Sequence, residues 1–173
     1  MRIPTNCPYS IKPPPREAAE LIACCRVQAR YRLLGEDEEP LCRTMWTEAE
    51  VYRLTWRSSF DGDAAVRIGR QGDQIALHWI YCWYTLRGGE GPVVLLSLVD
   101  WARLQDALIA ASFWTLDPEE RRLGFDGSQW LIEGRRKDNY RAVSRWSPHG
   151  AVYDLGKLFF ELTGPPLTEV TIY

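Results

Sequence analysis

The sequence predicts an α+β domain: a mostly antiparallel sheet, made of a four-strand meander and a C-terminal hairpin, with two or three helices packed on it. Three observations lead there. Apolar and polar residues alternate with period two around Tyr52, Leu54 and Trp56, and again from Gln129 to Trp146. Short glycine-containing turns, such as Gly72-Asp73, separate such runs. Two later stretches carry apolar residues at helical spacing: Trp101, Leu104, Leu108, Ala111, and then Val152, Leu155, Phe159, Leu162.

Size and composition agree with one globular domain. A chain of 173 residues buries roughly 70% of its unfolded surface and needs no staple to fold. Hydrophobic residues make up 46% and charged residues 25%, outside the range of disordered chains. The 8 Trp are large rigid groups usable in a core or at a binding surface. A net charge of -2 gives no electrostatic case for nucleic acid as a partner. No stretch approaches the roughly 20 apolar residues of a membrane span, and no signal peptide follows Met1, so a cytoplasmic protein without a membrane partner is expected. The 5 Cys are odd in number and lack a Cys-x-x-Cys pair. Neither histidine stands at zinc-ligand spacing from them, so neither metal nor cofactor is expected.

In chain order, residues 1–15 read as an extended proline-rich arm and 16–173 as the domain. Arg16 to Ala23 reads as a short helix. From Cys25 to Leu33 period two suggests a strand, with a continuing helix as the competing reading. Gly35 to Pro40 is a charged loop. The meander follows: a strand around Tyr52 to Arg57, then Ala64–Arg70, Gln74–Leu86 and Val93–Leu96. A two-residue turn at Gly72-Asp73 sets Val66 and Ile68 against Leu77 and Trp79 and makes the tryptophan face the core, the reading adopted, whereas a three-residue turn would expose the tryptophans. The opposite face, with Ile80 and Tyr84, is also apolar and offers a surface for homo-oligomerisation.

Ser97, with Asp100 three residues on, caps a helix that should end near Phe113 and Trp114. Leu116 to Ser128 is a connection. Gln129–Arg135 and Tyr140–Trp146 form the hairpin, and matching apolar to apolar implies an odd-numbered loop with Glu133 across from Arg141 or nearly so. Trp130 and Ile132 then share a face with Ala142, Ser144 and Trp146, while Glu133, Arg135, Arg141 and Arg145 share the other. Ser147 and Pro148 should open the last helix, Gly164 should close it, and Leu167 to Tyr173 adds a strand.

Candidate chemistry is sparse. His149 lies at the expected first turn of the last helix, where the helix dipole keeps imidazole neutral and fit for general-base work. No nucleophile-elbow pattern surrounds Ser144 or Ser147. Two carboxylate pairs, Asp126 with Glu133 and Asp154 with Glu161, have no separation fixed by sequence.

The run Phe113-Trp114, Gly124-Phe125-Asp126-Gly127-Ser128-Gln129-Trp130-Leu131-Ile132-Glu133-Gly134 and Tyr140-Arg141-Ala142-Val143-Ser144-Arg145-Trp146-Ser147-Pro148 resembles one shared by uncharacterised bacterial proteins. A weaker likeness reaches Tyr52-Arg53-Leu54-Thr55-Trp56, and the segment up to about Met45 is not covered. The resemblance implies a bacterial origin and no particular activity. The expected function is a non-catalytic protein-interaction module whose partner is another protein, as in toxin-neutralising immunity proteins. Its expected surface is Glu133, Arg135, Arg141 and Arg145 with Asp126 and Gln129, since arginine and tryptophan dominate binding hot spots. The alternative is a small-molecule binder or hydrolase with a pocket joining Trp146, His149 and Asp126.

Overall fold

The computed structural model describes residues 41, 50–83, 89–120, 124, 126–165 and 167, the side chains of 82, 83, 89 and 90 excepted. The expected N-terminal arm and first helix, the Cys25–Leu33 strand, the acidic loop, the end of the long third strand and all but the first residue of the final strand lie outside them.

The described chain is α+β. Its strands are β1 (Glu50–Ser58), β2 (Gly62–Gln71), β3 (Gln74–Trp83), β4 (Gly89–Glu90), β5 (Val94–Leu95), β6 (Ser128–Arg136) and β7 (Asn139–Trp146). Two α-helices follow the meander and the hairpin: α1 (Leu98–Ala110) and α2 (Ala151–Thr163). All ladders are antiparallel in the order β4-β3-β2-β1-β6-β7, with β5 also on β3. The expected fourth strand, Val93–Leu96, is reduced to β5, and a second short piece, β4, also lies on the β3 edge. The hairpin docks beside β1, so the first strand of the meander becomes the centre of the sheet.

Register sorts the side chains. Tyr52, Leu54 and Trp56 face Ile68, Val66 and Ala64 on β2, and Gly134, Ile132 and Trp130 on β6. Val66 and Ile68 oppose Trp79 and Leu77, as the Gly72-Asp73 turn predicts, and Gly72 takes the left-handed φ of 59° that this turn needs. This face joins Trp101, Leu104 and Leu108 of α1 and Leu155, Phe159 and Phe160 of α2 in one core. Each fully buried Leu, Ile or Phe there contributes roughly 1.5–3 kcal/mol. Trp56 meets Phe160 edge-on at 5.7 Å. The six-membered ring edge of Trp130 meets α2 at Gly156, where any Cβ would overlap it.

The capping box of α1 forms as expected: the Ser97 hydroxyl accepts from the Asp100 N–H, and the Ser97 N–H donates to the Asp100 carboxylate at 3.1 Å. The helix stops earlier than expected, at Ala110. Ser112 turns left-handed, with φ 50°, and a 3-10 turn over Phe113–Thr115 drives Phe113 into the core.

Two expectations for the C-terminal part are corrected. The hairpin loop has two residues, Lys137 and Asp138, not an odd number, because Arg136 pairs with Asn139 and Lys137 accepts a left-handed φ of 54°. Two-residue loops of this hand match strand twist, so turn geometry overrides apolar matching. Glu133 therefore opposes Ala142, and Trp146 opposes Gln129 on the face away from the helices. Nor do Ser147 and Pro148 start α2. Gly150 is its N-cap, while Ser147 ties back to β6, donating its N–H to the Ser128 carbonyl at 2.7 Å and accepting the Ser128 N–H on its hydroxyl. Gly164 closes α2 with φ 71°, as expected.

The β7 edge is covered. The Ser144 N–H donates to the Pro118 carbonyl at 2.7 Å, and Glu119 bridges Ser144 in parallel. Arg145 fastens this strap, donating to the Asp117 carbonyl at 2.8 Å. A strapped edge cannot template pairing with another chain.

Candidate functional site

At one end of the sheet β1 begins while β2 and β6 finish, so Glu50 stands between Arg70 and Arg136 across the strands. Strand spacing sets the two arginine backbones about 10 Å apart. Both side chains fold over aromatic rings. The Arg70 guanidinium lies 5.6 Å from the centre of the Trp101 ring, and that of Arg136 lies 5.5 Å from the Trp114 ring. Trp101 comes from the first turn of α1 and Trp114 from the 3-10 turn beyond it. Tyr52 sits between them, 5.9 Å from Trp101 and 6.2 Å from Trp114. Gly134 makes room for this cluster, since a Cβ there would come within 2.7 Å of Phe113 and 2.9 Å of Tyr52.

The charges of this row are not used internally. Among the described residues neither Arg70 nor Arg136 forms an ion pair, and Glu50 accepts only a 3.5 Å contact from the Tyr52 hydroxyl. Arg70 spends its Nε–H on the Gly72 carbonyl at 2.9 Å, and its two Nη groups form no ion pair among the described residues. Arg136 is exposed, and Glu50, Arg70 and Trp114 are half-buried.

Burial pushes the Tyr52 hydroxyl up to about 12, against the opposing pull of the Gln105 amide beside it. In the unfolded chain the same group ionises near 10. The folded state therefore keeps its proton longer, and its stability falls as pH rises from about 10 to about 12. Two pH units correspond to roughly 2–3 kcal/mol. Chemical denaturation of the wild type and of Tyr52→Phe, at pH 8 and at pH 11.5, should show a smaller alkaline loss in the variant. Equal losses would refute the assignment.

An apolar stripe borders the row. Leu98, Ala102 and Ile109 share one face of α1, beside Trp101 and Gln105. Leu98 is 61% and Ile109 74% exposed. Leu95, 78% exposed, is at the same end, because the Leu96 N–H bonds the Ile75 carbonyl and Ile75 opposes Arg70.

The residues singled out from sequence lie elsewhere and are not brought together. Arg141 and Arg145 are on the helix side of the hairpin, while Glu133, Arg135 and Gln129 are on the reverse. Glu133 is fully buried, and Arg135, Arg141 and Arg145 are each only 9% exposed, so these four do not form an outer face. Glu133 takes Arg53 in an ion pair at 2.6 Å and accepts the Tyr140 hydroxyl at 2.7 Å. Arg135 donates to the Leu41 carbonyl, and Gln129 to the Ser144 hydroxyl and the Arg145 carbonyl. Asp126, Trp146 and His149 gather at the opposite end of the sheet. Asp126 and His149 are exposed, His149 precedes α2 rather than lying in its first turn, and Trp146 is covered by Gly124 and Gly127. Beneath α2 the space at Gly156 is filled by Trp130, which is fully buried. A shallow cleft between α1 and α2 is lined by Arg103, Asp106, Asp154, Lys157, Leu158 and Glu161. Its charges are largely spent: Glu161 pairs with Arg103 at 3.2 Å and with Lys157 at 3.6 Å.

No protein-family model matches the chain, and no curated protein matches it. The site therefore rests on geometry. Sequence reasoning missed Glu50, Arg70, Arg136 and Trp114. No local pattern marks them: Arg136 ends β6 and Arg70 is one residue short of the end of β2, and only the docking of β6 beside β1 sets the two on either side of Glu50.

Proposed function

We propose that this chain is a non-catalytic protein-interaction module that binds its partner through the Glu50 end of the sheet and the outer face of α1. Toxin neutralisation is one role such a module serves. The observation that carries the reading is the continuity of two tryptophan-stacked arginines without ion-pair partners with the exposed Leu98 and Ile109. Apolar anchors flanked by Arg, Trp and Tyr are the composition of binding hot spots. The buried arginines of the hairpin are engaged within the fold and are not part of this surface.

The test is co-purification of the tagged protein from its own source cells, with mass spectrometry of what accompanies it. A stoichiometric protein should be lost in the Leu98→Asp, Ile109→Asp double variant and retained in an Asp126→Ala, His149→Ala variant. Retention by the first variant, or no accompanying protein, counts against the proposal.

A further inference from the structure

We infer that the partner presents an acidic segment, with carboxylates that seat on Arg70 and Arg136. The inference rests on the protein-binding reading above and names the chemistry of what is bound.

Three features carry it. First, both guanidiniums lack carboxylate partners among the described residues, although Glu50 is the cross-strand neighbour of each. The chain thus holds two arginines beside a carboxylate and spends neither on it. Second, each guanidinium is held over a tryptophan ring, 5.6 and 5.5 Å from its centre. A guanidinium held in this way loses rotamer freedom before it binds, and its Nη pair matches a carboxylate with two parallel hydrogen bonds. The Gly72 carbonyl further anchors Arg70 through its Nε–H. Third, the neighbouring surface suits a peptide better than a small anion. Leu98 and Ile109 extend the row along α1 with exposed apolar side chains, which inorganic phosphate would leave bare. Glu50 between the arginines also disfavours one compact dianion bridging both, and favours two separate carboxylates.

The test is panning a random library of 12-residue peptides against the full chain, followed by titration of the enriched peptides into wild type and into an Arg70→Gln, Arg136→Gln variant. Both positions lie at the surface, and a thermal melt checks that the variant folds. Enriched peptides should carry at least two Asp or Glu alongside apolar residues. They should lose about tenfold or more in affinity for the variant and should weaken as salt rises. Free phosphate should not compete at matched ionic strength. Neutral or basic binders, acidic binders indifferent to the variant, displacement by phosphate, or no enrichment at all would each overturn the acidic chemistry. The co-purification above reads the binding proposal by itself, so the two fail separately.

Discussion

Glu133→Ala should lower stability by about 3–5 kcal/mol, as expected when one member of a buried ion pair is removed. Glu133 is fully buried on the face of the sheet away from the helices. One carboxylate oxygen takes both Nε and Nη2 of Arg53, at 2.8 Å and 2.6 Å, and the other accepts the Tyr140 hydroxyl at 2.7 Å. Arg53 is itself only 6% exposed. Truncating Glu133 withdraws the carboxylate from a guanidinium that is almost fully desolvated, and the missing Coulomb attraction is felt at low effective dielectric. Replacing both partners, as in Arg53→Met with Glu133→Leu, removes the stranded charge and should recover part of the loss. Urea denaturation measures both. The midpoint should drop in the single variant with the slope unchanged. A loss below about 1 kcal/mol would place the pair with exposed ion pairs and contradict its burial.

The second large effect is expected at Gly156. This glycine is inside α2, where alanine would ordinarily stabilise a helix by roughly 1 kcal/mol. Here the sign reverses. A Cβ would overlap the Trp130 ring, and that ring cannot retreat, because its Nε1–H donates to the Ser128 hydroxyl at 2.7 Å and Phe160 packs against it at 6.4 Å. Overpacking of this kind costs about 1–3 kcal/mol or more, so Gly156→Ala should be destabilising and Gly156→Val more so. A thermal melt in which Gly156→Ala is as stable as wild type would show that Trp130 does not press on α2 at this glycine.

Much of the fold was legible where local chemistry decides it. The Gly72-Asp73 turn fixed the β2–β3 register and with it the inward face of Trp79. The Ser97–Asp100 box fixed the start of α1, and Gly164 the end of α2. The failures share a physical cause. Apolar matching put Glu133 opposite Arg141, but a left-handed Lys137 permits a two-residue loop, and a register shift of one residue moves whole faces. Ser147 has the chemistry of a helix cap, yet a long-range bond to Ser128 claims it. The Arg70–Glu50–Arg136 row could not be read at all, because it exists only once β6 docks against β1, a pairing that no local period encodes. Arg135 and Arg145, which look like a binding face in the hairpin sequence, are instead engaged by backbone carbonyls, and Glu133 by Arg53 of β1.

The most direct measurement of the central claim is site-specific photo-crosslinking in the source cells. A photoreactive residue would be placed in turn at Leu98, Ile109 and Arg136, and at Phe60 and His149 as controls at the far end of the sheet. The binding-surface account predicts one covalent adduct with the same protein from the first three positions and none from the two controls. Adducts from Phe60 or His149 alone, or from no position, would contradict it.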